Sequence, residues 1–245
     1  MPAFLTATLY APLASFGGLA VGERRTSETR PTRSALIGLL GAALGVDRAD
    51  EAAQTALAAG YGFATQTLAA GRPMTDYHTA QMPGQKGKKR FATRAAELAV
   101  PKQDLNTVLT SRDYRVDAMF SLAIWVRENA PYILDDIAAA FRHPHYTLSL
   151  GRKSCPLGLP LAPVIADYPS ARAALAARWT AFEKQEEELH RNLGAKPGII
   201  AMDEADAKTQ NESPQHIAFI RDNPVSRKRW QFALRAEAVS QPDQP

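Results

Sequence analysis

An α+β fold of the ferredoxin-like kind is predicted by three features of this chain. Residues 3–10 alternate, with Leu5, Ala7 and Leu9 on one face and Thr6, Thr8 and Tyr10 on the other, which is the pattern of a strand. A glycine-interrupted apolar helix follows from Pro31, and a second alternating run, Val116 to Val126, leads into another helix. Strand, helix, strand, insertion, strand, helix is the order of RNA-recognition modules.

Each element has its own warrant. Residues 11–31 hold Pro12, the Gly17-Gly18 pair and several charges, and read as a loop. The helix then starts within 31–34, with Thr32 or Ser34 as its cap and Leu36, Leu39, Leu40 and Ala43 as its buried stripe. Gly38, Gly41 and Gly45 form a second, smooth face that invites close approach of another backbone. Residues 61–68 suit a short strand. The stretch 79–112 shows little periodicity apart from a short helix near 92–99, and reads as a long insertion, a type of segment that is usually functional or disordered.

In the run Val116–Val126, the residues Val116, Ala118, Phe120, Leu122, Ile124 and Val126 share one face. Pro131 opens the next helix, Asp135 and Asp136 suit its dipole, and Pro144 ends it. Residues 146–165 are rich in Gly and Pro. Ser170 to Leu193 reads as one solvent-exposed helix, Arg229 to Val239 as a closing strand, and 240–245 as a frayed tail.

Bulk properties narrow the function. At 245 residues, 45% of them hydrophobic, the chain can bury a sizeable core. Its net charge of +4 is small, so local clustering has to carry any argument for a polyanionic partner. Residues 84–115 hold eight basic side chains against three acidic ones, whereas 183–206 are rich in Asp and Glu, which suggests a molecule with one nucleic-acid-facing side. A single cysteine excludes an internal disulfide and fits a reducing cytoplasm. The opening residues lack a basic n-region, and the longest apolar run, Ala35 to Val46, is too short for a membrane span.

Three basic segments carry the candidate chemistry. At Arg30-Pro31-Thr32-Arg33-Ser34, free N–H groups at a helix start and nearby arginines suit a phosphate, although a capped helix entry with solvated arginines is an equally common reading. Gly151-Arg152-Lys153-Ser154-Cys155 lacks the Walker spacing and a following helix, which excludes a nucleoside triphosphatase. A glycine turn that lets phosphate approach stays open beside a plain basic turn. The run Lys86, Lys88, Lys89 and Arg90, near Tyr77, His78 and Phe91, suits a mobile finger gripping RNA, against a solvated charge run.

No Cys, Asp or Glu cluster accompanies His143 and His145 at metal-ligand spacing, so neither a metal nor a cofactor is expected. Arg152 and Lys153 stand where they can lower the pKa of Cys155, yet no base for a thiol enzyme is visible. Tyr77 and His78 with a nearby lysine are the residue types of general acid–base RNA cleavage, though stacking or a structural role is the plainer reading.

The segments Arg30–Gly45 (RPTRSALIGLLGAALG), Asp76–Thr79 (DYHT) and Tyr146–Leu157 (YTLSLGRKSCPL) resemble the Cas-five family of CRISPR-associated RAMP proteins, in its type I-E Cascade form. Ala11–Gly17 (APLASFG) resembles the family's first strand-to-loop turn, and the similarity extends more weakly to Arg227–Phe232 (RKRWQF). The resemblance implies a modified ferredoxin-like RAMP domain over 1–150, with a thumb on the basic insertion at about 79–112, and a glycine turn and smaller C-terminal region over 151–245. It implies a non-catalytic RNA-binding subunit that caps the 5′ handle of crRNA. Its neighbours would be the backbone RAMP subunits and the large PAM-reading subunit, with target DNA engaged indirectly. Handle contacts carried over by motif position are Ser15, Phe16, Gly17, Arg33, Ser34, Tyr146 and Gly151 to Cys155. The insertion departs from the family pattern, so its individual contacts do not carry over.

Two other functions compete. One is a crRNA-processing endoribonuclease, as in relatives of another CRISPR subtype that use a Tyr, Lys and His set. Here Tyr77 and His78 are present, but no lysine can be placed beside them from sequence. The other is a protein-interaction module whose basic patches bind nothing specific.

Overall fold

The computed structural model describes residues 1–18, 20, 22–84 and 91–241. A nine-stranded sheet runs through the molecule, with helices on both faces. The elements in chain order are β1 (Ala3–Ala14), β2 (Phe16–Gly17), β3 (Arg24–Arg25), β4 (Ser27–Glu28), α1 (Arg33–Leu44), α2 (Glu51–Gly60), β5 (Tyr61–Ala69) and β6 (Arg72–Pro83). There follow α3 (Arg94–Leu98), β7 (Leu105–Val126), α4 (Leu134–Arg142), β8 (Val164–Asp167), α5 (Ala171–Gln185) and α6 (Glu187–Leu193). The chain closes with β9 (Ile200–Asp203), α7 (Glu204–Thr209), β10 (His216–Ser226) and β11 (Gln231–Ser240).

The sheet order is β10-β11-β9-β5-β7-β1-β8, and β7 runs antiparallel to both β1 and β5. Because successive side chains of a strand point to opposite faces, β7 feeds two cores. Phe120, Leu122 and Ile124 join Leu5 and Leu9 of β1 beneath Leu36, Ile37 and Leu40 of α1 and Ile137 and Phe141 of α4. On the other face Ala123 packs with Phe4, Ala64, Ile200 and Met202 under Ala171, Ala174 and Leu175 of α5. The threonine side of β1 is therefore buried as well: Thr6 is 2% and Thr8 0% exposed. Burial of this kind drives folding by about 25 cal/mol per Å² of apolar surface removed from water.

Several local expectations meet a different outcome. Thr32 is the cap of α1, accepting from the Ala35 N–H. The glycine face does not receive another backbone. Gly45 is the left-handed C-cap (φ 75°) against the His145 ring, and a Cβ at Gly38 would meet Arg227. Pro131 lies in the turn before α4, whose first N–H groups follow Ile133; the Ile133 N–H donates to Asp136 at 3.3 Å. The single helix expected over 170–193 is broken at Glu186 into α5 and α6. Part of the loop expected over 11–31 is extended: residues 11–14 end β1, and three two-residue strands follow.

The largest difference lies in the insertion. Its flanks, β6 and the first half of β7, pair residue by residue from Arg72↔Val116 to Pro83↔Leu105 as a two-stranded ribbon. At about 3.3 Å per residue such a ribbon is roughly 35 Å long. Nine of the twelve residues of β6 are exposed and none is buried, so no buried face imposes alternation, and that is why periodicity is weak there. Where the ribbon leaves the sheet, Gly71 (φ 70°) lies against the Val116 carbonyl and Asp117 takes φ 59°. Glycine is required here, because a Cβ would stand 2.7 Å from that oxygen. No helix among the described residues is long and apolar enough to cross a membrane.

Candidate nucleic-acid interface

The glycine loop is built onto the end of β1. Gly151 bridges Ser15 in parallel register, the Ser15 N–H donates to the Leu150 carbonyl at 3.1 Å, and the Ser15 hydroxyl donates to the Asp113 carbonyl at 2.9 Å. Gly151 takes φ 88°, and a Cβ there would fall 1.8 Å from the Ser15 carbonyl oxygen, so only glycine permits the contact. The loop closes on itself through Leu150 N–H to Cys155 O (2.8 Å) and Cys155 N–H to Arg152 O (2.9 Å).

Arg152 ties this loop to the ribbon stem. Its guanidinium lies over the Tyr114 ring at 4.9 Å, donates to the Arg25 carbonyl at 3.0 Å and reaches the Asp113 carbonyl at 3.4 Å. β3 joins β7 in parallel at the same place, pairing Arg24 with Ser111 and Arg25 with Arg112. Arg25 donates to the carbonyls of Gly22 (2.6 Å) and Arg24 (3.4 Å). Arg24, by contrast, pairs with Asp113 at 3.0 Å. The Thr75 hydroxyl, at 2.8 Å, and Arg24 hold Asp113 below the usual carboxylate range. Lys153 and Ser154 are exposed at the loop tip.

The predicted site residues therefore divide. Ser15 and Phe16 are buried at the foot of the loop, with the Phe16 ring edge-on to Phe120 at 5.6 Å, while Gly17 is exposed and paired with Ser27. Gly151, Arg152, Lys153, Ser154 and Cys155 stand beside them. Tyr146 is 50% exposed, edge-on to the His145 ring. Tyr77 is 61% exposed on the ribbon, opposite Ser111, and His78 is paired with Asp76. As neighbours on one strand, Tyr77 and His78 point to opposite faces of the ribbon, so they do not converge on one scissile bond. Lys86, Lys88, Lys89 and Arg90 lie outside the described residues.

Arg30, Arg33 and Ser34 are placed elsewhere, and the helix-start anion site expected there is already filled. The Arg33 N–H donates to the Asp222 carboxylate at 2.7 Å. Arg33, a residue 5% exposed, pairs through its guanidinium with Asp203 at 2.6 Å and donates to the Ala58 carbonyl at 2.6 Å. Burial lowers the Arg33 pKa and Asp203 opposes the shift. Arg30 pairs with the buried Glu237, and the Ser34 carbonyl accepts from Arg227. Arg127 and Arg235 extend the network to Asp203, Asp206 and Asp222. The acids come from 170 or more positions downstream of Arg33, where no local pattern could reveal them.

The Cys155 expectation is also corrected. The thiol is fully buried, and burial pushes its pKa up; the weaker pulls of Ser154 and Arg152 do not reverse this. Missing from the sequence-predicted set were Tyr114, Asp113, Arg24 and Arg25. The arginines were visible as basic residues near a helix start, but their neighbours across β7 were not. Among the described residues, no group of three or more His, Cys, Asp or Glu is placed to hold a metal ion.

The chain as a whole has known relatives. The family model described as "CRISPR-associated protein (Cas_Cas5)" matches residues 4–236. The chain belongs to this Cas5 family of CRISPR-associated proteins. It is 31% identical over 169 residues to the CRISPR system Cascade subunit CasD of Escherichia coli (strain K12), covering 66% of this chain and 70% of the relative. Its fold is similar to a chain of a CRISPR RNA-guided surveillance complex, with a TM-score of 0.61 at 23% identity over 98% of this chain and 90% of the other. A second similar structure, described as a Cas protein, gives a TM-score of 0.58 at 22% identity over 98% and 94%.

Proposed function

We propose that this chain is a non-catalytic RNA-binding subunit of a type I-E Cascade surveillance complex, one that caps the 5′ handle of crRNA and supports assembly for antiviral DNA interference. The observation that carries the reading is the loop foot: Arg25, Arg152 and Lys153 gather around the Gly151 turn, and among the described residues none of the three has a carboxylate within ion-pair distance. Asp113, the counter-charge at the loop foot, is ion-paired with Arg24, and cations left without an ion-pair partner of their own suit the phosphates of a bent single strand. Exposed Tyr77 and Tyr146 offer faces for unstacked bases. Kinship with a curated Cascade subunit supports the assembly context.

In the same reading β1, α1, β5, β7 and α4 make up the ferredoxin-like RAMP core over 1–150, and β8, from the region that follows, completes its sheet order β5-β7-β1-β8. The β6–β7 ribbon is the thumb, and 151–245 is the smaller C-terminal region, whose strands extend the same sheet. Neighbours are the backbone RAMP subunits and the large PAM-reading subunit, with target DNA met only through them. The runner-up, a repeat-cutting endoribonuclease, draws on the His78–Asp76 pair, but the opposed directions of Tyr77 and His78 weigh against it.

The test is binding and cleavage of labelled repeat RNA by the co-expressed complex, with the variant Arg25→Glu/Lys153→Glu as comparison. The expected result is handle protection without cleavage, weakened tenfold or more by the variant. Each lost phosphate contact lowers the salt slope by about 0.7. Unchanged protection would reject the site. Metal-independent cleavage abolished by Tyr77→Phe/His78→Ala would move the assignment to a nuclease.

A further inference from the structure

A groove of about 650 Å³ opens between α4, α5 and the proline-rich segment 144–164. Phe141, Leu148, Leu157, Leu161, Val164 and Phe182 supply apolar walls. The volume is in the range of sites that take a ligand or an anchoring side-chain cluster. Pro156, Pro160 and Pro163 fix the backbone of one wall, so little ordering is needed on binding.

One feature of the groove is costly for an isolated chain. Arg178 projects from α5 into the wall and is 6% exposed. It donates to the Thr8 hydroxyl through Nε (3.1 Å) and Nη2 (2.9 Å), to the Ala162 carbonyl (2.8 Å) and to the Leu161 carbonyl (3.2 Å). Every one of these acceptors is neutral, and no carboxylate lies within ion-pair distance among the described residues. The buried Arg33 and Arg235, by contrast, each hold aspartates. A second guanidinium, Arg142, lines the same groove and donates to the Pro163 carbonyl at 3.1 Å. Apolar walls with two uncompensated cations complement an apolar group that carries an anion.

We propose that this groove is the docking socket for an apolar segment of a neighbouring protein subunit bearing an aspartate or glutamate, whose carboxylate meets Arg178 and Arg142. That the occupant is a subunit rests on the Cascade reading above; its chemistry rests on the groove alone. RNA is a poor occupant, because these walls would leave ribose and base edges without partners. The socket also touches the handle site. Leu148 and Leu157, joined by an N–H···O contact of 3.4 Å, line the groove and form the root of the Gly151 loop, where Ser149 bridges Pro156. Filling the socket braces the loop from behind, which couples subunit docking to handle capture.

The experiment places a photo-crosslinking benzoylphenylalanine at Gln185, on the exposed side of the groove, in the co-expressed complex. The expected product joins this chain to one other protein subunit, through a peptide with an acidic residue among apolar ones. Ala181→Trp, which fills the groove from an exposed position, should lower retention of that subunit by about tenfold or more, the hot-spot scale. Arg142→Glu should do the same and be rescued by exchanging the partner's acid for lysine. Because Arg142 is exposed, this variant keeps the test open if Ala181→Trp fails to fold. A complex that assembles with normal handle protection but gives no protein crosslink at 185, a crosslink to a second copy of this chain, or a co-purifying fatty acid in native mass spectrometry would each overturn the socket. A chain that never enters a complex overturns the Cascade reading and the occupant together.

Discussion

The entry to α1 and the loop at Gly151 are both arginine-bearing turns, and they use their cations in opposite ways. At α1, Arg30 and Arg33, with Arg127 and Arg235, meet Asp203, Asp206, Asp222 and Glu237 of the same chain. At the loop, Arg25, Arg152 and Lys153 meet carbonyls or solvent. The first arrangement is saturated and fastens the β9–β11 end of the sheet to the first helix. The second leaves its charge for something outside the chain. A basic cluster in a sequence is thus half an observation; the position of the acids decides whether it is a joint or a site.

The sharpest way to break this comparison is to remove the hub of the joint. Arg235 holds Asp203 (2.9 Å), Asp222 (2.7 Å) and Glu237 (2.7 Å) in a buried setting. Burial alone disfavours its charge, but the three acids reverse the shift and raise its pKa. Arg235→Met leaves Asp222 and Glu237 buried with less compensation and should destabilise the fold by about 3–5 kcal/mol. At about 2–4 °C per kcal/mol for a chain of this size, the melting temperature should fall roughly 10 °C. At low temperature the folded fraction should still bind handle RNA, because the loop lies elsewhere. A variant of unchanged melting temperature but poor RNA affinity would invert the assignment of the two regions.

The matching change at the loop is Gly151→Ala. The positive φ and the clash with the Ser15 carbonyl oxygen force the turn away from β1, at a strain of about 1–3 kcal/mol. Handle affinity should drop more than stability does, since Gly151 to Cys155 lie outside both main core clusters, which only the loop's root enters through Leu148 and Leu150. Gly38→Ala, in α1, is the control: a Cβ there meets only the far end of Arg227 at 3.6 Å, so handle affinity should not move. Equal effects of the two substitutions on RNA binding would show that loop docking is not what positions the cations.

The same contrast explains what could be read in advance. β1, β5, the sheet half of β7 and α1 follow from period and capping, because each has a buried partner that imposes a pattern. The ribbon does not, because a two-stranded element exposed on both faces selects for no alternation. α2, capped by Asp50 and rich in alanine, was missed because only Leu57 and Gly60 are buried and no stripe marks it. β10, at the sheet edge, needs little hydrophobic periodicity, while β9, paired on both sides and buried, is only four residues long and too short to show a period. At the site, Gly151–Cys155 was legible as a turn with cations. The inward role of Arg33 was not, because its partners enter through long-range topology.

A smaller contrast within the helical layer tests the rule that burial selects a charge state unless an opposite charge intervenes. His190 of α6 is 4% exposed, lies parallel to the Trp179 ring at 4.7 Å, contacts Phe182 at 5.0 Å, and neither ring nitrogen has a hydrogen-bond partner. Burial lowers its pKa from the ordinary 6.5, and Glu183 and Glu186 pull upward without prevailing. The unfolded chain therefore takes up the proton first as pH falls. Stability is independent of this group above about pH 6.5, declines as pH drops through that value, and levels off once the folded-state pKa is passed. Thermal unfolding followed by circular dichroism at pH 7.5 and 5.5 should show a fall for the parent chain and a smaller one for His190→Phe, which keeps the stacked ring and removes the titrating group. Identical pH dependence in both chains would mean that the neutral ring is not what the Trp179–Phe182 slot selects.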